Sequence, residues 1–313
     1  MLVRIARFVT AMLWQIQCNT ASRNAARSKM AANTASRAGV TLHNGAVMPW
    51  IALGTWEAPP GQVGRAVEAA LASGYRHLDC AHIYGNEREV GEALRASRIP
   101  REELFITTKI WNSFRTDQQV RRCCAKSLSD LGVDYLDLLL IHFPVGGRRA
   151  LKECWQTMES LVDEGKCKAI GISNYYEDDV ADLLSYARVK PACNQIELHP
   201  RLPQDALVEY CKRQGMVVTA YSPFGRGARG GMLDHAVVAD IARKHGVAAS
   251  SVLLGWSLAR GVPALPKSVT PARIAQNNSD EVRGLALDAD DVRALAGLED
   301  GARFVAFFNH QSR

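Results

Sequence analysis

The 313-residue sequence lacks the cysteine and histidine spacings that indicate a disulfide framework or a structural metal. Its eight cysteines include no Cys-x-x-Cys pair, and the adjacent Cys123 and Cys124 would diverge on a helix. The eight histidines include no His-x-x-x-His pair. We therefore expect reduced thiols, as in a cytosolic-type compartment, and no bound metal.

Long hydrophobic runs and basic segments interleaved with aromatic residues are also missing. No apolar stretch is long and continuous enough to span a membrane, and the Lys/Arg pattern does not suit a single-strand nucleic-acid binder. The net charge of +6 arises largely in the first 38 residues, which contain six basic residues and no acidic one. The rest of the chain is close to neutral, so we expect neither a nucleic-acid nor a membrane partner.

The segment 1–39 is the one clear break in composition. It is rich in Arg, Ser and Ala, lacks acidic residues and carries an apolar patch from Phe8 to Trp14. This profile is typical of a mitochondrial leader, but Met30 offers an alternative start that would make the segment a spurious extension. We predict a disordered extension over 1–39 and a single domain over 40–313, with both origins of the extension left open.

The domain alternates apolar strands with amphipathic helices. Asn44-Gly45 between two β-prone pieces predicts an initial hairpin. Caps at Thr116-Asp117 and Thr270-Pro271 mark the starts of two helices, the second of which we take as the last helix. Eight strands are predicted at residues 51–53, 77–78, 104–108, 135–141, 169–172, 192–195, 217–220 and 262–265. Because no Gly-x-Gly-x-x-Gly follows the first strand, this alternation favours a single (β/α)₈ barrel, with the hairpin closing its bottom, over a doubly wound sheet.

Polar residues at the predicted strand ends form a candidate site. Asp79 and Tyr84 follow the second strand, Lys109 ends the third and His142 ends the fourth. Each is weak evidence alone, since Asp often forms turns and a histidine after apolar residues is often structural. Strand C-termini of a barrel meet at one mouth, however, and a buried lysine requires a partner. A lysine beside a phenol lowers the pKa of the phenol, so these four residues predict a proton-transfer site.

From about Thr41 to Asp300, the sequence resembles the aldo-keto reductase superfamily. It is most similar to the branch that contains 2,5-diketogluconate reductases and protist-type prostaglandin F synthases. The motifs that carry the resemblance lie at residues 74–81, 84–87, 139–144, 171–175, 194–200, 220–223 and 265–274. The resemblance implies a TIM barrel that binds NADPH without a Rossmann domain, which explains the missing glycine-rich turn.

The resemblance also implies individual roles. Tyr84 would be the general acid, Asp79 and Lys109 would tune it, and His142 would orient the substrate carbonyl. The implied cofactor contacts are Ser173, Asn174 and Gln195 at the carboxamide, Tyr221 on the nicotinamide ring, Ser222 at the pyrophosphate, and Lys267, Ser268, Val269, Thr270, Arg273, Gln276 and Asn277 at the adenosine end. Lys267 and Arg273 beside the helix start at Thr270-Pro271 suit a 2′-phosphate, so we expect NADPH over NADH.

The implied substrate pocket has walls from Trp56, Trp111 and Phe143 together with His142. Cys80 stands where many relatives have Thr and Phe143 where most have Trp, and we expect both to reshape the pocket. The short tail after Asp300 favours small aldehydes, ketones, sugars or quinones over steroids. The implied function is NADPH-dependent carbonyl reduction by a cytoplasmic monomer. The alternatives are an NADP(H)-binding regulatory module of the same fold, a non-redox phosphate-binding barrel and, for location, the mitochondrion.

Overall fold

Eight parallel strands surround the centre of the computed structural model, which describes residues 39–225 and 231–305. Each strand pairs with its neighbours in chain order, and backbone bridges between Ile51 and Ala264 and between Gly54 and Lys267 join the first strand to the last. The strands are β3 (Leu53–Gly54), β4 (His77–Asp79), β5 (Phe105–Ile110), β6 (Leu138–Ile141), β7 (Ile170–Ser173), β8 (Cys193–Glu197), β9 (Val217–Tyr221) and β10 (Ala264–Leu265). The predicted (β/α)₈ barrel is confirmed.

The strands are largely apolar because the sheet is enclosed on both faces. All four residues of β6 are buried, as are all six of β5 and all four of β7. Parallel strands covered by helices on one side and by a filled barrel on the other require apolar residues on both faces. Lys109 is a charged exception within such a strand, and its burial therefore requires a specific partner.

The N-terminal hairpin lies across the N-terminal end of the barrel. Strands β1 (Gly39–Thr41) and β2 (Val47–Pro49) pair antiparallel, and Gly45 has a φ of +86° in the connecting turn. Leu42 and Met48 pack with Phe105 and Leu138, which are the first residues of β5 and β6. The hairpin therefore closes the bottom of the barrel, as predicted, and leaves the opposite mouth free for a site.

Helices connect successive strands and cover the barrel. The described helices are α1 (Val63–Ala72), α2 (Glu87–Ser97), α3 (Asp117–Leu131), α4 (Gly147–Asp163), α5 (Glu177–Leu184), α6 (Asp205–Arg213), α7 (Ala236–His245), α8 (Ala249–Ala259), α9 (Pro271–Asn277), α10 (Asp280–Gly284) and α11 (Ala289–Ala296). The predicted helix starts are confirmed at α3, where Thr116 and Gln119 form a capping box, and at α9, where Pro271 occupies the first turn. The expectation that α9 is the last helix is wrong, because α10 and α11 follow.

Two sequence expectations fall partly or wholly outside the described residues: the extension over 1–39 and the end of the tail after Asp300. In the ranges 39–225 and 231–305, no helix is long and apolar enough to cross a membrane. Within the same ranges, no three His, Cys, Asp or Glu side chains group as a metal site would require. The seven cysteines in these ranges are free and buried.

Candidate active site

Lys109 is the centre of a buried hydrogen-bonded cluster at the barrel mouth. Its ammonium donates to Asp79 Oδ2 at 2.7 Å, to the Cys80 carbonyl at 2.8 Å and to the Tyr84 hydroxyl at 3.5 Å. The lysine side chain is 0% exposed, so these three acceptors take all three of its hydrogens. Burial is the largest single influence and lowers the pKa of Lys109, but the charge and hydrogen bond of Asp79 together with Tyr84 and Cys80 outweigh it, so the pKa is raised and the ammonium stays charged.

Asp79 is held from both of its oxygens. Oδ2 faces Lys109, and Oδ1 accepts a hydrogen bond of 2.8 Å from the side-chain amide of Gln195 at the facing strand β8. The sequence did not indicate this second contact, because it joins residues 116 positions apart. Gln195 thus links the ion pair to the part of the mouth that the family resemblance assigns to the nicotinamide.

Tyr84 lies on the 3-10 turn His82–Tyr84, which follows β4 and ends at Gly85 in the left-handed region with φ of 68°. Burial raises the pKa of Tyr84 to about 12, although the nearby Lys109 ammonium acts in the opposite direction. The sequence predicted a lowered pKa for this phenol, and that prediction is wrong for the cluster as folded. The charge effect has the predicted sign, but burial of the phenol is larger. Tyr84 is therefore a protonated donor at neutral pH.

The turn that carries Tyr84 is fastened by two residues that follow it. Glu87 is buried, and its carboxylate accepts hydrogen bonds from Thr108 at 2.5 Å and Ser127 at 2.7 Å. Asn86 donates to the Thr55 carbonyl at 2.9 Å. Thr108 precedes Lys109 in β5, so Glu87 ties the tyrosine turn to the strand of the lysine. Both residues lie in the motif 84–87, and no local sequence pattern indicates that they fasten this turn.

His142 follows β6 and completes the predicted set of four. Its ring lies 5.8 Å from the Tyr84 ring between centroids and stacks on Phe143 at 5.1 Å. Burial, together with the positive charge of Lys109, holds the pKa of His142 well below its usual range, so the imidazole is neutral. Its buried Nδ1 has no hydrogen-bond partner among the residues that the structure describes. A neutral ring in this position can donate a hydrogen bond without competing as an acid.

Aromatic side chains form one wall beside the histidine. Trp111 meets the His142 ring edge-on at 5.1 Å and the Phe143 ring at 6.1 Å. Trp56 is half-buried in the loop after β3, directly after Thr55, whose hydroxyl donates to the Asp79 carbonyl at 3.0 Å. Cys80, in contrast, is fully buried with its carbonyl on Lys109, so its thiol adds no exposed surface to this wall, and its effect on the shape of the pocket stays a prediction.

The residues assigned to the nicotinamide form a connected group next to the tetrad. Asn174 donates to the His142 carbonyl at 3.0 Å and accepts from the Tyr221 hydroxyl at 2.8 Å. Ser173 donates to the Gln195 carbonyl at 2.7 Å. Asn174 and Ser222 have φ angles of 64° and 49°, a left-handed conformation that non-glycine residues adopt at a cost of roughly 1–3 kcal/mol. Such backbone strain clusters at ligand-binding sites, and here it flanks the Tyr221 ring.

The residues assigned to the adenosine end are more open. Lys267 and Arg273 are exposed, and neither forms an ion pair with any residue of 39–225 or 231–305. Ser268 accepts a hydrogen bond of 3.1 Å from the Thr270 amide just before α9, and Val269 between them is half-buried. Gln276 and Asn277 differ from this group: the Gln276 amide donates to Glu281 at 3.0 Å, and Asn277 is buried.

A parallel barrel with a lysine, a carboxylate, a phenol and a neutral imidazole at its C-terminal mouth has the equipment for proton transfer to a carbonyl substrate. The Aldo/keto reductase family model matches residues 50–300. The chain belongs to the aldo/keto reductase family of oxidoreductases, which act on carbonyl compounds.

Individual relatives agree with this assignment. The chain is 40% identical to human aldo-keto reductase family 1 member A1 and 41% identical to the zebrafish (Danio rerio) member A1-A, in each case over 85% of this chain and 90% or 91% of the relative. Among solved structures, an aldo-keto reductase from a Medee basin deep-sea metagenome library is 37% identical with a TM-score of 0.83 and covers 88% of this chain and 99% of that one. The aldose reductase of Schistosoma japonicum is 40% identical with a TM-score of 0.78, covering 84% and 93%.

Proposed function

We propose that the protein reduces the carbonyl group of small aldehydes or ketones to alcohols with NADPH, and that Tyr84 is the proton donor. The contact chain from Asp79 through Lys109 to Tyr84 is the observation that supports this proposal most directly, with distances of 2.7 Å and 3.5 Å. Of the three groups, Tyr84 is the one placed to give a proton to a substrate, since both Asp79 oxygens accept hydrogen bonds within the cluster and the lysine hydrogens are engaged.

The proton transfer follows from the charges of the cluster. A bound reduced nicotinamide supplies the hydride for carbonyl reduction. Tyr84 donates its hydroxyl proton to the oxygen that becomes negative, and the Lys109 ammonium stabilises the phenolate that remains. The neutral His142 ring orients the same oxygen by a hydrogen bond. Asp79 keeps Lys109 in place, so the positive charge is directed at Tyr84 before any substrate arrives.

The residues of the mouth suit the proposed cofactor. The side-chain nitrogen Nε2 of Gln195 donates to Asp79. Its side-chain oxygen Oε1 would therefore accept a hydrogen bond from the NH₂ group of a carboxamide. Ser173 and Asn174 would hold the other side of that group, and Tyr221 would stack on the ring. Ser222 lies where a pyrophosphate would follow. Ser173 and Asn174 are already connected to the tetrad by hydrogen bonds to Gln195 and His142, and Tyr221 joins them through Asn174.

The preference for NADPH over NADH rests on charge. Lys267 and Arg273 are two cations without an anionic partner in the described part of the chain, and they flank the start of α9 at Pro271. A 2′-phosphate supplies the missing anion, and arginine offers it a planar pair of donors. Ser268, Val269 and Thr270 line the same stretch, and Gln276 and Asn277 follow in α9 and would complete the adenosine end.

The substrate class rests on the aromatic wall. Trp111 meets the His142 ring edge-on and Phe143 stacks on it, so flat apolar faces lie beside the imidazole, and Trp56 would extend this wall from the loop after β3. Such a wall favours small aldehydes and ketones whose carbonyl is the main polar group.

The test is a panel of small carbonyl compounds with NADPH, followed by the loss of reduced-nicotinamide absorbance. We expect turnover with at least some aldehydes. Fluorescence-detected NADPH binding without turnover of any compound would instead support the regulatory module, and absence of binding would contradict both functions and favour a phosphate-binding barrel.

Two further proposals concern the state of the protein in the cell. We propose a monomer in the cytoplasm, with mitochondrial import as the alternative that the basic segment 1–39 raises. Sedimentation of the purified chain tests the first. Fluorescent fusions that begin at Met1 and at Met30 test the second, because only the longer fusion would enter mitochondria if the segment is a leader.

A further inference from the structure

A further buried carboxylate, besides Asp79 and Glu87, lies at the barrel mouth. Glu197 ends β8, and its side chain is 0% exposed. One oxygen accepts from the Phe304 backbone amide at 2.7 Å and contacts the His199 ring nitrogen at 3.3 Å, and the other accepts from the Val305 amide at 3.4 Å. A buried carboxylate is tolerated when hydrogen bonds replace its water. Glu197 thus anchors a stretch of chain more than one hundred positions away.

That stretch is the segment 300–305, and further contacts fasten it along its length. Asp300 forms a two-pronged ion pair with Arg201, with one bond of 3.0 Å, and the Gly301 amide donates to the Arg201 carbonyl at 3.0 Å. Arg303 reaches Gln204 at 3.4 Å. These contacts are to the half-buried Arg201 and Gln204 in the loop after β8, whereas the Glu197 carboxylate is fully buried and is the enclosed fixed point of the segment.

The Phe304 side chain connects the anchored segment to the residues after Tyr221, on the side of the mouth proposed for the cofactor. Its ring lies 5.1 Å from the His199 ring and packs directly on Gly225, where an added Cβ would come within 2.7 Å of the ring. Gly225 also has a φ of +60°, which favours glycine independently. Gly225 closes the turn 222–225 through a hydrogen bond of 2.9 Å to the Ser222 carbonyl.

The turn 222–225 follows Tyr221 directly, and Tyr221 is the strand partner of Glu197 in the barrel. One carboxylate therefore braces this corner of the mouth from two directions: through the sheet beneath Tyr221 and through Phe304 above Gly225. The Met232 backbone amide donates to the Phe224 carbonyl at 3.3 Å. The residues on either side of 226–230 therefore meet at the same corner.

We propose that Glu197 is a positioning residue that holds the segment 300–305 so that Phe304 fixes the turn 222–225, and that this brace slows dinucleotide release. The inference rests on the proposed function, in which Tyr221 and Ser222 contact the cofactor. Its physical basis is preorganisation: a binding turn that is already fixed loses less conformational freedom when the ligand binds, and loosening it acts mainly on the dissociation rate.

The experiment compares Phe304→Ala with Arg303→Ala as a matched control. Arg303 belongs to the same segment but contacts Gln204 and the Tyr176 ring rather than the turn. The dissociation of NADPH is followed by stopped-flow fluorescence after mixing with excess oxidised dinucleotide. We expect the rate to rise by about three- to tenfold in Phe304→Ala and to stay within about twofold of wild type in Arg303→Ala. The single-turnover rate of carbonyl reduction at saturating NADPH should be unchanged in both.

Glu197→Gln provides a second variant that preserves the shape of the buried side chain. Its oxygen can still accept from the Phe304 amide, but its NH₂ group would face the Val305 amide, donor against donor. We expect faster NADPH dissociation here too, with a melting transition that shows the barrel intact.

Equal dissociation rates in wild type, Phe304→Ala and Glu197→Gln would overturn the inference while leaving the proposed function in place. A wild-type protein that binds no NADPH would contradict the proposed function itself, and the brace with it. The two failures are therefore distinguished by the wild-type titration alone.

Discussion

The two ends of the barrel mouth are built differently. At the tetrad end, Lys109 is fully enclosed and each of its hydrogens has an acceptor, and Asp79 is held from both oxygens. At the adenosine end, Lys267 and Arg273 are exposed and have no ion-pair partner in the described ranges. Under the proposed function, the protein thus preassembles the groups that would move a proton and leaves the groups that would bind the 2′-phosphate to be completed by the ligand. Preorganised charges in a dry site lower a barrier without rearrangement during the reaction.

The largest expected effect comes from removing the proton donor at the preassembled end. Tyr84→Phe keeps the ring and its edge-on contact with His142 but deletes the hydroxyl that faces Lys109. We expect carbonyl reduction to fall by roughly 10²–10⁴-fold, the usual contribution of a positioned acid, with NADPH affinity unchanged. Steady-state turnover and fluorescence titration measure the two quantities, and near-normal turnover would remove Tyr84 from its proposed role.

The next effect should appear in both stability and rate. Lys109→Met leaves the Asp79 carboxylate buried without its counter-ion, which typically destabilises a protein by about 3–5 kcal/mol. Lys126→Met is the matched control, because Lys126 pairs with Asp130 on the surface of α3 with 58% of its side chain exposed; such pairs contribute about 0–1 kcal/mol. Denaturant unfolding measures the difference, and equal losses in the two variants would contradict the distinction between the two kinds of site.

The same lysine variant tests the electrostatic coupling to Tyr84. Lys109 lowers the phenol pKa, so its removal should raise that pKa further above about 12 and weaken stabilisation of the phenolate. In the variant that remains folded, the alkaline limb of the pH-rate profile should move to higher pH while the rate at neutral pH falls. A limb that moves to lower pH would have the wrong sign for this coupling.

Local sequence patterns were sufficient for the barrel but not for its boundaries. Apolar runs between turn residues placed all eight strands, because a strand buried on both faces leaves a continuous signal. The fourth strand was predicted from Tyr135 but begins at Leu138. Tyr135 and Asp137 instead bind Arg101, through a cation-π contact of 3.9 Å and an ion pair of 2.6 Å. The side chains at this boundary are thus used for contacts that a strand pattern does not show, and α10, with only five residues, was too short to show helical periodicity.

The site shows the same division between local and long-range information. Strand ends indicated which side chains share the mouth, and the structure brings Asp79, Tyr84, Lys109 and His142 together there. The sequence could not indicate that Gln195 holds Asp79 or that Glu197 holds Phe304, since these pairs join distant positions with no local pattern. The sequence also indicated that the Lys109 charge acts on Tyr84. It did not indicate how deeply the phenol is buried, and burial decided that the pKa of Tyr84 is raised.

The smallest expected effect lies at the open end and concerns cofactor choice rather than catalysis. Arg273→Met should weaken NADPH binding by about 10- to 100-fold, the range for loss of a hydrogen bond to a charged group, and leave NADH binding almost unchanged. Arg243→Met is a suitable control, because Arg243 is also an exposed helical arginine but pairs with Asp240 on α7. The ratio of kcat/KM with the two cofactors measures the preference. Stability should not change in either variant, because neither arginine supports the core. An unchanged cofactor ratio in Arg273→Met would show that the open end does not bind the 2′-phosphate. The contrast between the two ends would then have another origin.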